Sequence, residues 1–405
     1  MFKRTIISLA FIFFLAKPAF ASDVFWWQFQ SIDTMKYSRD LARQKVKDFS
    51  FDATIDQQMQ SIAQAGANFV ALATPYDEEF LPMLKRWVSA ARKNGLSVWF
   101  RGNWSGWEGW FNYPKISRQE HLAKTKKFIS DNVDLFRDGD IFSSCPECEN
   151  GGPGDPRLNG GVATHRKFLI DEYQVSRDAF RNIGRNVAAN FSPMNGDVAK
   201  LVMDKETTRA LGGVVVIDHY VNKPEQLAAD VREIAEESGG KIVLGEFGAP
   251  IPDIHGKMSE SEQAEWIKQS LKLLAKIPQL IGINYWVGFG GSTEIWTGSG
   301  LPKPAVNVVA SFFKPKRVSG LVVNELEKPI SNAKIISEEK EIITAEDGKF
   351  VLPYLEQEEM ITINADGFLE KKLAAGSDDF AKIVLVKEHK NLFFRLAFFL
   401  HKFFK

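Results

Sequence analysis

Residues 241–248 read Lys-Ile-Val-Leu-Gly-Glu-Phe-Gly. Ile242, Val243 and Leu244 form a continuous apolar run, the pattern of a parallel strand buried on both faces. Gly245 and Gly248 let another group approach the backbone closely. Between them, Glu246 stands where the strand ends. Val214-Val215-Val216-Ile217 repeats the apolar run one unit earlier.

Working outward, eight short apolar runs are expected as strands: 24–32, 68–73, 97–101, 140–144, 186–191, 213–219, 241–246 and 282–286. The fifth has the weakest pattern. Amphipathic segments lie between them, at 52–65, 79–94, 118–132, 165–183, 223–238 and 259–276. In the first, Ile55, Met59, Ile62 and Ala63 fall at helical spacing. Ser259, with Glu262 three residues on, forms a helix-start signature. Gly95 after Asn94 marks a helix end. Such alternation gives either a closed barrel or an open doubly wound sheet. No glycine-rich phosphate loop follows the first strand. Polar and aromatic residues recur past many strand ends, which in a (β/α)8 barrel converge on one face. The barrel is therefore the expected α/β fold over 22–314.

A second pattern starts after a linker at 312–317 that contains Pro315. Residues 317–388 hold short strands with turn dipeptides at Asp347-Gly348 and Asp366-Gly367, the signature of a small all-β sandwich. Residues 389–405 form an amphipathic, Phe-rich tail with Asn391, Arg395, Lys402 and Lys405 on one helical face. An interfacial helix touching a membrane surface is one reading of it, and a helix docked on the protein is the other.

Composition bounds the function. The chain has 405 residues, 51 basic and 51 acidic, so nothing favours nucleic acid as a partner. Ten Trp and 32 Phe supply flat apolar faces, and the core claims most such residues. Lys3 and Arg4, the apolar stretch 6–16 and Ala19-Phe20-Ala21 match a signal peptide over 1–21, so the mature chain is expected to be exported. The two cysteines are Cys145 and Cys148. They lack the context of a redox motif and are too few for a zinc site. A local disulfide, or two thiols, is expected there; a disulfide stiffens the loop carrying Glu147. No metal or cofactor is expected.

Retaining glycoside hydrolysis needs two carboxyl groups about 5 Å apart. Glu246 is one candidate. The other is Glu147, in Ser-Cys-Pro-Glu-Cys-Glu-Asn past the fourth strand. Glu149 competes with it; Glu147 is preferred because it lies nearer the strand end. Glu149 and Asn150 are then candidates to bind sugar hydroxyls. His219 and Tyr220 close the sixth strand; Tyr220 can hydrogen-bond Glu246, and His219 is either a sugar contact or, as is commoner for a lone His, a satisfied core histidine. Trp286 closes the eighth, where it can floor the subsite beside the scissile bond. Arg101, Asn103 and Trp104 follow the third, in a stretch whose Trp104, Trp107 and Trp110 read as a sugar platform. Trp26 and Trp27 end or line the first strand, and one of them, with Trp26 as the candidate, is expected to face the cleft.

Together these features resemble, in divergent form, the clan A glycoside hydrolases, which include cellulases and mannanases. The match covers roughly 23–313. It rests on the fourth-strand carboxylate, the His-Tyr pair, Gly-Glu-Phe-Gly and the eighth-strand Trp. The resemblance implies that Glu246 is the nucleophile and Glu147 the acid/base, acting on a β-linked polysaccharide or oligosaccharide. Pro146 stands where that clan carries Asn, and Asn103, Asn150 or Asn190 are candidates to replace it. Residues 317–387 resemble the carboxypeptidase-regulatory-like sandwich, an accessory module. Two rival functions remain, a transglycosylase with the same carboxylates and a non-catalytic glycan-binding barrel.

Overall fold

The computed structural model describes residues 26–159, 161–338, 340–355 and 359–388. The expected leader at 1–21 and the basic tail at 389–405 lie outside these residues.

The first part is a (β/α)8 barrel. Its strands are β1 (Phe29–Asp33), β2 (Phe69–Leu72), β3 (Ser97–Phe100), β4 (Ile141–Phe142), β5 (Pro193–Asn195), β6 (Val214–Asp218), β7 (Lys241–Phe247) and β8 (Leu280–Tyr285). They pair in parallel in the order β4-β3-β2-β1-β8-β7-β6-β5. The circle closes through a bridge between Ile141 and Ala188. Backbone bonds from Gly139 N to Asn186 O, Phe142 N to Ala188 O and Ala188 N to Asp140 O, each 2.9 Å, complete the seam. The fifth strand, expected at 186–191, is displaced, and its pairing is divided between two short pieces of which only the first lies in the expected run. Residues 186–188 serve β4 and 193–195 serve β6, so neither half has a full strand's pattern.

Helices follow each strand. They are α1 (Asp52–Gln64), α2 (Leu81–Lys93), α3 (Arg118–Asp131), α4 (Val162–Asn182), α5 (Gly196–Val202), α6 (Lys205–Ala210), α7 (Pro224–Ser238), α8 (Glu260–Ala275) and α9 (Pro304–Phe313). Ile55, Met59 and Ile62 bury the inner face of α1, as their spacing requires. Capping boxes at Ser117/Glu120 and Ser259/Glu262 satisfy the free N–H groups that open α3 and α8. Gly95 takes a positive φ just past α2, where a side chain is disfavoured. Inside the barrel, Phe69, Ala71, Trp99, Ile141, Phe191, Val216 and Val243 fill the lumen. The barrel is a packed core, and its chemistry is confined to the strand ends.

Trp26 departs from expectation. It precedes β1 and lies at the opposite end of the barrel from the strand C-termini. It is buried, with its ring 6.5 Å from Phe312 of α9, and its carbonyl accepts from Lys340 Nζ at 3.3 Å. A residue at the start of a five-residue strand is about 16 Å from that strand's far end, too distant to face the cleft.

Beyond α9 come two small sheets. β9 (Lys316–Asn324), β12 (Lys349–Tyr354) and β15 (Ile383–Leu385) form one, in the order β12-β9-β15. β10 (Lys334–Ile336), β11 (Glu341–Ile343), β13 (Met360–Asn364) and β14 (Lys371–Ala374) form the other, in the order β11-β10-β13-β14. Val322, Ile335, Leu352, Ile361, Ile363 and Ile383 share one core between them.

Candidate active site

Alternation builds the polar layer at the C-terminal end of the barrel. Side chains of a strand point inward at every second position. Two residues past the lumen residues Trp99 and Val216 come Arg101 and Asp218. Asp33 stands two residues beyond the inward Ser31. Arg101 is the centre of this layer. Its Nη2 donates to Asp218 Oδ2 at 2.8 Å and to Glu246 Oε1 at 2.9 Å. Its Nη1 donates to the Gly245 carbonyl, and its Nε lies 4.0 Å from Asp33 Oδ2. Asn284 Nδ2 ties the layer to β8, donating to Gly245 O at 2.8 Å and to Asp33 Oδ2 at 3.3 Å.

One guanidinium cannot balance three buried carboxylates. Burial pushes Asp33 up to about 6, with Arg101 opposing and Glu246 adding to the rise. Burial holds Asp218 well above the usual carboxylate range, again against Arg101 and with Glu246 adding. Arg101 is thus shared between Asp218 and Glu246, with Asp33 close by. Gly245 is needed for this packing, because a Cβ there would sit 2.3 Å from Asp218 Oδ1 and 3.0 Å from Arg101 Nη1. At Gly248 a Cβ would meet the Trp286 carbonyl at 2.4 Å. The close approaches that these two glycines permit are therefore to the polar floor and to the β8 backbone.

Glu246 is 5% exposed, and its second oxygen, Oε2, accepts from Tyr220 Oη at 2.8 Å. Burial and the adjacent carboxylate keep the Tyr220 phenol protonated, so it remains a donor. Trp286 lies beside it, the two rings 5.9 Å apart and nearly perpendicular, and Lys36 Nζ sits 5.3 Å from the indole. The Trp286–Val287 peptide is cis.

Glu147 stands across from this group. It occupies the left-handed region, with φ 46° and ψ 48°. Its N–H donates to Pro193 O at 2.7 Å, across the seam. Cys145 and Cys148 are joined by a disulfide, with Cα atoms 5.2 Å apart, so Glu147 lies within a closed four-residue loop. Burial pushes its carboxyl up to about 8, with the charges of Glu246 and then Glu149 adding to the rise. Glu149 has different partners. Its Oε1 accepts from Asn195 N at 2.7 Å and from Asn195 Nδ2 at 3.0 Å, which fixes it to the end of β5. Asn150 is exposed and accepts from the same Asn195 amide at 3.3 Å.

Several expected contacts are redirected. His219 turns out of the barrel. Its Nε2 pairs with Asp230 of α7 at 2.8 Å, and its ring covers Gly196 so closely that a Cβ there would lie 2.4 Å from Nδ1. It stands one residue past inward-facing Asp218, so alternation sends it outward. Asn103 is fully buried, and all its polar atoms are engaged. Its Nδ2 donates to Glu108 Oε1 at 2.6 Å, and its Oδ1 accepts from Trp104 N at 2.8 Å and pairs with His121 Nε2 at 2.9 Å. Trp104 and Trp107 are also buried and do not form an open platform. Trp104 Nε1 donates to Thr125 at 3.2 Å, and Trp107 stacks on Phe168 with centroids 4.9 Å apart. Of the three, only Trp110 is partly open, beneath Arg39 at 4.7 Å. Glycine-flanked tryptophans read as exposed in sequence, yet helices α3 and α4 cover two of them.

Asp33, Asp218, Asn284 and Glu108 were not anticipated. The first two were readable from period-two alternation. Glu108 was not, because its place depends on how the loop after β3 folds back. Burial pushes its carboxyl up to about 7 against the hydrogen bond from Asn103.

No protein-family model and no curated protein sequence matches the chain. Solved structures with some likeness include a β-D-glucuronidase from Dictyoglomus thermophilum, at 17% identity and TM-score 0.48, covering 71% of this chain and 50% of that one. Bacteroides uniformis β-glucuronidase 2 matches at 10% identity and TM-score 0.46, covering 83% and 44%. A β-glucuronidase from Ruminococcus gnavus matches at 15% and 0.45, covering 64% and 45%. The chain spans about half the length of these enzymes. At such identities and scores the likeness assigns neither a substrate nor a site residue to this chain.

Proposed function

We propose that the chain is a retaining glycoside hydrolase acting on a β-linked glycan, with Glu246 as nucleophile and Glu147 as general acid and then base. The observation that carries this reading is the asymmetry of the two carboxyl groups on one barrel face. Arg101 and Tyr220 each donate to one oxygen of Glu246, an arrangement suited to an anion. Burial and neighbouring charge instead keep a proton on Glu147, whose carboxyl is pushed up to about 8. A carboxyl that keeps its proton, facing one held by two donors, divides proton donor from nucleophile.

The chemistry follows in two displacements. Glu246 attacks the anomeric carbon while Glu147 transfers its proton to the departing glycosidic oxygen, and that carbon–oxygen bond breaks. The glycosyl ester on Glu246 is then cleaved by water. Glu147, now a carboxylate, takes the water's proton as the water oxygen bonds to the anomeric carbon and Glu246 leaves. Burial raises the Glu149 carboxyl too, but Asn195 opposes that rise and ties one of its oxygens to the end of β5 with two donors, which suits it less to the acid role. Trp286, beside Tyr220, is the candidate floor for the sugar at the reacting centre.

Export rests on residues 1–21 alone. An accessory role for the module at 317–388 rests on its sequence resemblance. A transglycosylase would use the same carboxylates and pass the sugar to a hydroxyl other than water. The test is a β-glycan and aryl β-glycoside panel assayed with the mature protein and its Glu246→Gln variant. Release of reducing ends by the wild type and none by the variant is expected. Equal activity of the two sinks the assignment, and tight glycan binding without turnover by either points to a binding protein.

A further inference from the structure

Glu147 is the residue in this site whose backbone is hardest to hold. A non-glycine residue at φ 46° is strained and persists only where its surroundings fix it. Three restraints converge on it. The disulfide closes the chain on either side of it, from Cys145 to Cys148. Its own N–H is anchored to Pro193 O at 2.7 Å. Both half-cystines are also held from behind. Asn103 Nδ2 lies 3.6 Å from Cys145 Sγ, and Trp107 Nε1 donates to the Cys148 carbonyl at 3.2 Å. Asn103 is in turn fixed by His121, whose Nδ1 pairs with Glu172 of α4 at 2.7 Å. A buried polar chain thus runs from two outer helices to the back of the loop.

We propose that the Cys145–Cys148 crosslink, with Asn103 behind it, is the positioning element that aims the Glu147 carboxyl at the leaving oxygen. It does for Glu147 the holding that Arg101 and Tyr220 do for Glu246. This rests on the assignment of Glu147 as acid/base. Asn103 is therefore a positioning residue and not a sugar ligand, although its sequence position pointed to the cleft. Without the crosslink, Glu147 is free to leave the left-handed region, and water reaches its carboxyl. The nucleophile is not affected, because Arg101 and Tyr220 belong to other strands.

A loss confined to the acid has a distinctive signature. A phenyl glycoside needs its leaving oxygen protonated, whereas a 2,4-dinitrophenyl glycoside releases a stable phenolate without help. The experiment compares kcat/KM for both, on D-gluco, D-manno, D-galacto and D-glucuronic β-glycosides, using wild type, Glu147→Ala and Cys145→Ser/Cys148→Ser. For the double variant the phenyl rate is expected to fall at least about tenfold, part of the roughly 10²–10⁴ that a positioned acid contributes. The dinitrophenyl rate is expected to stay within about twofold, and the alkaline limb of the profile to move down. Thermal melting monitors the fold. If the double variant does not fold, oxidised wild type treated with dithiothreitol after folding must show the same split. An equal fall for both leaving groups in folded protein, or no fall for either, overturns the proposal. If Glu147→Ala itself shows no split, or the wild type cleaves neither class, the acid/base reading fails first and the inference falls with it.

Discussion

Glu246 and Glu147 are the same residue type in opposite surroundings, and single substitutions should separate them. Glu246→Gln keeps the shape but replaces one of the two acceptor oxygens by an NH2 group, and with it the oxygen proposed to attack. Turnover is expected to fall by at least about a thousandfold, roughly 4 kcal/mol of barrier, with the melting temperature unchanged or raised. Tyr220→Phe removes one of the two donors to Glu246. A hydrogen bond to a charged group contributes about 1.5–3 kcal/mol, so kcat/KM should drop roughly ten- to a hundredfold. The pH profile follows from Glu147. Its carboxyl is pushed up to about 8, so the acid form is present below that pH and activity is lost as pH rises through it. An alkaline limb unchanged in Glu147→Gln would show that another group carries it.

Among the secondary-structure elements, the strands decide which residues meet. The run leading into Glu246 was legible because Ile242, Val243 and Leu244 are continuously apolar; the register shift at Gly245 and Glu246 was not. Arg101 and Tyr220 were legible as strand-end residues, and so was the bond from Tyr220 to Glu246; the partners of Arg101 were not. Asp218 and Asp33 could have been found by counting in twos from the lumen residues. His219 was misplaced for want of that count, and Trp26 because it stands at the wrong end of its strand. The loops were harder. The burial of Asn103, Trp104 and Trp107 depends on how α3 and α4 lie over them, and no local pattern records that. Gly245 provides a check on the packing of β7. Gly245→Ala would drive a methyl against Asp218 Oδ1 and Arg101 Nη1, so activity should be lost while the far-UV spectrum is retained.

For the whole molecule, the site is a thermodynamic burden. Asp33 and Glu147 are raised to about 6 and about 8, and Asp218 is raised as well. Between their unfolded values near 4 and these higher values, the folded protein binds more protons than the unfolded chain. Stability therefore falls as pH rises through that window. Melting temperature should be higher at pH 5 than at pH 8, and Glu147→Gln should narrow that gap. A variant that melts with the wild-type pH slope removes Glu147 as a source of it.

The seam between β4 and the 186–195 segment has a consequence for mechanics. Glu246 rides on β7, which pairs with β6 and β8 on its two sides, whereas β4 is only two residues long and its seam is one bridge, the backbone bonds around it and the bond from Glu147 N to Pro193 O. The two reacting groups thus sit on parts of unequal compliance. One jaw of the clamp is rigid and the other is sprung at the barrel's joint, with the disulfide as its stop. Opening for a bulky glycan, and release of its product, would flex the same joint. Amide exchange should accordingly be faster at Gly139, Phe142 and Ala188 than along β7.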